Sequence, residues 1–294
     1  MRRNPHWSDG IAFGVLGMLG FSGTMVATRV AVVEISPLTI TCARIVVAGL
    51  LGALTLFILK KLQLPERRFL PGIVWMGLGL SVGFPFFLTL ALVSVPAVHG
   101  AVVTGLAPAA TAILSVMRTG ERPPLPFWIA CIIGFCGVFY FALDAGGGHL
   151  VLADGWLFLA LMCVGTAYVE GGRIAGVLGG TTTLCWAMIF MVPGALIVLL
   201  WSARDLDLET ISQSAWMGLS YVCVISMFLA SLFWYRGLAA GGIARIGQIN
   251  LLLPLVALVW SAVLLNEEIT MTAIVCSVVV FAAMIFCLKS RIPS

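Results

Sequence analysis

The chain carries one pattern twice. An offset of 146 lays residues 87–121 over 233–267 without a gap, pairing Phe87 with Phe233, Leu92 with Leu238, Leu106 with Leu252, Pro108 with Pro254 and Glu121 with Glu267. An offset of 145 lays Asp9-Gly10 over Asp154-Gly155, Phe13 over Phe158, Leu16 over Leu161 and Gly20 over Gly165. The identities are sparse, but they keep their order and spacing, which divides the chain into halves at 1–146 and 147–294.

Composition decides where such a duplicated chain can live. Of its 294 residues 61% are apolar and 10% charged, with mean hydropathy +1.13. A soluble domain carries about 25% charged residues, so this chain belongs in a bilayer. A transmembrane β-barrel needs alternating segments of about ten residues, whereas the apolar runs here have the length of helices, which satisfy their backbone groups internally. Ten runs are expected to span, near 11–32, 36–59, 70–92, 96–117, 126–143, 153–172, 181–201, 214–236, 242–265 and 269–288. The first is too long for the apolar core of a signal peptide and reads as an uncleaved span. All eight cysteines fall inside runs, without metal-ligand or disulfide spacing, and are expected as buried packing.

Lysine and arginine give the orientation. With the N-terminus inside, twelve of the sixteen basic residues fall on the inner side and only Arg29 and Arg204 on the outer, while Arg44 and Arg245 lie within spans. Both termini are therefore expected to be cytoplasmic. Five spans per half make the halves antiparallel. The connection containing Glu121 is basic (Arg118, Arg122) and inside, and its counterpart, Asn266-Glu267-Glu268, is acidic and outside. The expected fold is an all-α integral membrane protein of ten transmembrane helices, arranged as two inverted five-helix repeats.

Gly20-Phe21-Ser22-Gly23-Thr24, then Pro37-Leu38 with Ala43-Arg44, then Phe233-Trp234-Tyr235-Arg236-Gly237 with Pro254 and Glu267, resemble in their order the EamA-type transporters of the drug/metabolite transporter superfamily. Phe21 between Gly20 and Ser22, and Asn266 before Glu267, depart from that pattern. The resemblance implies export of small metabolites, often amino acids or toxic compounds, across a bacterial inner membrane.

Candidate site residues follow from cost and position. Arg44 lies about two turns into the second span, where a lipid-exposed charge is prohibitive. Two readings stay open: it grips a substrate carboxylate or phosphate, or it anchors helix ends through backbone carbonyls or Glu34. Proline-interrupted spans at matching positions point to a carrier's binding site, which marks Thr104 before Pro108, and Gln248 and Asn250 before Pro254. His99 and Arg245 are repeat equivalents; His99 is a candidate for substrate or proton binding, and Arg245 for gating. Glu170 and Arg173, one turn apart, are an ion pair or a gate. Among the aromatics Tyr168 is the cavity candidate, with Trp186, Tyr221 and Tyr235 also near mid-membrane, while Trp201 and Trp216 suit the interfaces. Glycines 14, 17, 20 and 23 form a stripe for close helix contact, as do Gly134 and Gly137.

These observations exclude several classes. No Walker-type sequence occurs, so the chain does not hydrolyse ATP itself. No metal, cofactor or nucleic-acid partner is expected; the partners are a small-molecule substrate and the lipid bilayer. Gly20-Phe21-Ser22-Gly23 matches an intramembrane protease pattern, but the only histidine in a span is His99, on another helix. The expectation is a secondary exporter of amino acids or related amphipathic compounds working by alternating access. The alternatives are a carrier that takes up or exchanges an anionic metabolite and, more distantly, an intramembrane enzyme. Proton coupling, and the choice between monomer and homodimer, stay open.

Overall fold

The structure, a computed structural model, describes residues 7–119, 124–204, 206–241 and 249–289. Among them the regular structure is entirely helical. Eight helices are long and apolar enough to span: α1 (Asp9–Val32), α2 (Pro37–Ile58), α3 (Arg67–Leu92), α4 (Ala97–Arg118), α5 (Leu125–Ala145), α6 (Leu152–Leu178), α7 (Gly180–Ser202) and α8 (Gln213–Gly237). Two shorter described helices complete the ten, α9 (Leu253–Leu265) and α10 (Met271–Lys289).

Most boundaries fall within a few residues of the apolar runs. The exception is α6. Its apolar pattern stops near 172, yet the helix continues to Leu178 because its last turns are packed, with Ile174 only 1% exposed. What stops it is Gly179, at a φ of 83° that favours glycine. Glu170 and Arg173 consequently lie about two turns before the helix end rather than in its last turn.

The packing repeats the duplication. The principal pairings are α1 with α8, α3 with α6, α2 with α7, α5 with α10, α4 with α6 and α1 with α9. Exchanging the first five helices for the last five leaves that set unchanged. Each principal pairing also joins one five-helix unit to the other, so neither unit has a core of its own. Aromatic stacking follows the repeat: Phe13 stacks on Phe233 at 6.1 Å, and Phe87 on Trp156 at 5.8 Å. The glycine stripe of α1 lies against α8, where a Cβ on Gly17 would meet the Trp234 backbone at 2.9 Å. Gly137 similarly faces Val279 of α10. Most of the described cysteines are buried or half-buried, but Cys136 is exposed on α5, facing the surface lipid would cover. The expectation that every cysteine packs internally fails there, since a thiol is apolar enough to face acyl chains.

Even-numbered helices all begin at one end of the bundle. That end carries Glu34, Asp154, Glu209, Glu267 and Glu268, and is called the acidic end below; the opposite, basic end carries Lys60, Lys61, Arg67, Arg68, Arg118 and Arg173.

Candidate functional site

Five of the spanning segments are irregular, and their irregularities converge. Helix α1 breaks at Gly23, where an added Cβ would meet the Tyr221 hydroxyl, and Tyr221 donates to the Gly20 carbonyl at 3.0 Å. Helices α3 and α8 widen into π-helical turns at Leu78–Gly83 and Tyr221–Ala230. These occupy equivalent positions of the repeat, and such turns concentrate at functional sites. Helix α4 loses regularity at Gly105 and Leu106, directly before Pro108, and a 3-10 turn at Asn250–Leu252 precedes Pro254. The two interruptions touch: a Cβ on Gly105 would lie 3.0 Å from the Pro254 ring.

Proline has no N–H to return to the carbonyl four residues earlier. Pro108 therefore withholds the helical donor from Thr104, and Pro254 withholds it from Asn250. Both residues line a cavity of about 70 Å³ at the convergence, together with Thr24, Arg44, Tyr168 and Ser226. Phe21, Leu80, Phe84 and Met227 supply apolar wall. Thr24 and Ser226 share a 2.7 Å hydrogen bond that ties the α1 break to the α8 π-turn.

Arg44 is the one formal charge among the lining residues. It is 2% exposed, and among the described residues its Nε and Nη1 have no hydrogen-bond partner. The anchoring partner considered above is engaged elsewhere, because Glu34 accepts from the Ser212 amide and hydroxyl, each at 2.6 Å. Asn250 Oδ1 is also buried without a partner among the described residues. Unmet buried polar groups are expensive, a guanidinium most of all, so a site holding a free donor pair and a free acceptor is built to receive polar atoms.

The remaining candidates lie elsewhere. His99 is buried near the start of α4, outside the cavity, with Nε2 2.6 Å from Asp154 Oδ1 of α6. Glu170 binds Arg173 at 2.8 Å and also, unforeseen from the sequence, Arg118 of α4 at 2.9 Å. Pro108 and Pro254 shape the site without lining it. Gln248, Arg245 and Glu121 lie outside the described residues. Ser22 donates to the Leu19 carbonyl at 2.7 Å and accepts from Trp260 Nε1 at 3.0 Å, the bonding of a structural hydroxyl. Sequence reasoning missed Thr24, Ser226 and Ser231 of the lining. The available signal was a hydroxyl residue within an apolar run, which is too common to single out three.

The profile of the EamA-like transporter family matches twice, over residues 8–143 and 151–289. The chain belongs to that family. This EamA-like protein is 37% identical over 262 residues to the uncharacterized transporter YdeK of Bacillus subtilis (strain 168), covering 89% of this chain and 91% of the relative. It is 24% identical over 230 residues to the uncharacterized transporter YyaM of the same organism, covering 72% and 73%. A solved crystal structure superposes on this EamA-like transporter with TM-score 0.64 at 17% identity, over 95% of this chain and 97% of the other, which speaks to the fold alone.

Proposed function

We propose that the protein is a secondary carrier that exports small carboxylate-bearing metabolites, amino acids first among them, by alternating access. The observation that carries this reading is the buried Arg44, with two unpartnered N–H groups at the cavity where five irregular segments meet. A carboxylate would take the guanidinium's free donors, and the amine of an amino acid would suit Asn250 Oδ1. Ligand pockets for drug-sized molecules run to roughly 300–1,000 Å³. A cavity of about 70 Å³ instead suits the polar head of a small solute in an occluded state.

The moving units in this reading are residues 1–146 and 147–294, rocking about the broken helices. The basic end lies in the cytoplasm by the distribution of lysine and arginine, which puts both termini there and the acidic end outside a cell inner membrane. Uptake or exchange of an anionic metabolite is the second reading, because the same guanidinium would serve it.

Counterflow in proteoliposomes tests the proposal. A labelled amino-acid panel should include at least one substrate. For it, Arg44→Gln should lose at least about tenfold in apparent affinity, as expected when a charge-assisted pair worth ~1.5–3 kcal/mol is removed. Arg44→Lys should recover part of it. If Arg44→Gln lowers only thermal stability, Arg44 is an anchor and the proposal falls. Export is separated from uptake by loading the solute on either side of vesicles whose orientation has been assayed.

A further inference from the structure

A second concavity is roomier than the central cavity. It is a groove of about 730 Å³ on the flank of the bundle, walled by α4, α5 and α6. It exists because α5 makes its main packing against α10 and leaves its α6-facing side uncovered. Its lining is apolar except for one carboxylate, that of Asp154 at the mouth. That carboxylate is already engaged by His99 and by the Val151 amide.

We propose that this groove seats one acyl chain of a zwitterionic bilayer lipid from the leaflet at the acidic end. Three observations select that occupant. The groove lies within the membrane-spanning part of the molecule, where an apolar space of this size neither stays empty nor fills with water. Its length is that of one leaflet. Along α6 it runs from Leu152 in the first turn to Met162, and along α5 from Ala142 to Cys131, each about 15 Å at 1.5 Å per residue, close to half of a ~30 Å hydrocarbon core. It therefore starts at the acidic-end surface and stops near the bilayer middle.

The third observation is charge. Asp154 lines the mouth and is joined to His99, while Asp144 stands two positions after the lining residue Ala142 and His149 one before Leu150. No lysine or arginine is among the groove's lining residues. An anionic headgroup would meet carboxylates there, whereas an ammonium headgroup such as that of phosphatidylethanolamine is complementary. The seated chain would lie against Val103, Leu106 and Ala110 of α4, while Thr104 and Ala107 of the same helix line the central cavity. One lipid would thus brace the interrupted helix from behind.

Gly155 supplies the test. It lines the groove, and a Cβ there would meet no heavy atom within 4 Å, so a side chain introduced there starts in open space at the groove. The full chain, in nanodiscs of equal phosphatidylethanolamine and phosphatidylglycerol, is released into mild detergent and its retained lipids are counted by native mass spectrometry. Wild type should retain one lipid more than Gly155→Trp, with phosphatidylethanolamine enriched several-fold in that extra lipid. Met162→Phe, filling the deep end, should also weaken retention. A diazirine-bearing acyl chain should label α5 and α6 at the groove in wild type, and at least fivefold less in Gly155→Trp. Equal retention in all three proteins, labelling spread evenly over the surface, or preferential retention of phosphatidylglycerol would each overturn the proposal.

Discussion

The two ends of the bundle are terminated differently. At the acidic end every even-numbered helix begins under a side-chain oxygen. Ser36 accepts from Thr39 N at the start of α2, Glu267 from Ala97 N and Val98 N at α4, and Asp154 from Val151 N at α6. Ser212 accepts from Ala215 N at α8, and Thr270 from Ala273 N at α10. At the basic end the described starts of α3, α5 and α7 have no side-chain cap. Contacts between the first and last five helices follow the same division. Glu34–Ser212, Thr39–Ser202, Glu267 on α4 and His99–Asp154 all cross between the two units at the acidic end. Among the described residues the basic end has one such ion pair, Arg118–Glu170, beside a pocket of about 500 Å³. At α4 the cap itself crosses between the units, and at α6 and α8 the capping residue also makes a cross-unit bond, so separating the units there uncovers the start of α4 as well. The basic end can part without that cost.

Glu267 is the contact on which the difference between the ends depends most. Glu267→Ala removes one carboxylate that caps two backbone amides of the opposite unit, each at 2.9 Å. Replacing a cap by alanine costs about 0.5–2 kcal/mol. The expected outcome is a melting temperature lower by a few degrees. In a background with Cys136 replaced, spin labels at Val93 and Glu268 should also show a longer, broader distance distribution. If the distribution stays that of wild type, Glu267 does not hold this end together.

Glu170→Gln probes the other side and should do less to stability. Glu170 is buried, but Arg118 and Arg173 are 65% and 58% exposed, so water reaches the guanidinium side of both pairs and screens them in part. Melting should therefore move less than in Glu267→Ala. Labels at Met117 and Val177 should nevertheless separate more often, because the described ion pair joining α4 to α6 at this end has been weakened. A melting shift as large as that of Glu267→Ala would show that the basic end is no more loosely closed than the acidic one.

The broad plan of this molecule is local in the sequence, and the latches are not. Ten runs, the 146-residue offset and the matched prolines are read along the chain, and the prolines point to Thr104 and Asn250, which line the central cavity, because a missing N–H acts a fixed four residues back. Arg44 was legible from the cost of placing a charge in lipid. Glu267 capping α4, Glu34 binding Ser212 and Thr24 meeting Ser226 join residues 169–202 positions apart, and nothing in their local spacing announces them. The π-turns carry no residue signature either, since any apolar stretch can accommodate the extra residue. Their repetition in α3 and α8 emerges only from the coordinates. The length of α6 was misjudged because the apolar run stops near 172, whereas Ile174, buried beyond it, carries the helix on to Leu178.

The smallest expected effect concerns pH. Glu34 lies in the connection between α1 and α2, where the hydrogen bond from the Ser212 hydroxyl, and then that from its amide, hold the carboxyl below its ordinary range. A carboxyl with a depressed folded-state pKa stabilises the fold above its unfolded pKa of roughly 4.3, and loses that contribution as pH falls through the lower, folded value. The link to α8 should therefore persist at neutral pH and weaken only in strong acid. Because the carboxyl is fully exposed, water replaces much of what is lost. Glu34→Gln keeps an acceptor but cannot titrate. Between pH 7 and pH 3.5, the wild-type melting temperature should fall slightly further than that of Glu34→Gln. Parallel curves for the two proteins would remove Glu34 from the set of contacts that distinguish the acidic end, leaving Glu267 and the His99–Asp154 pair to account for its rigidity.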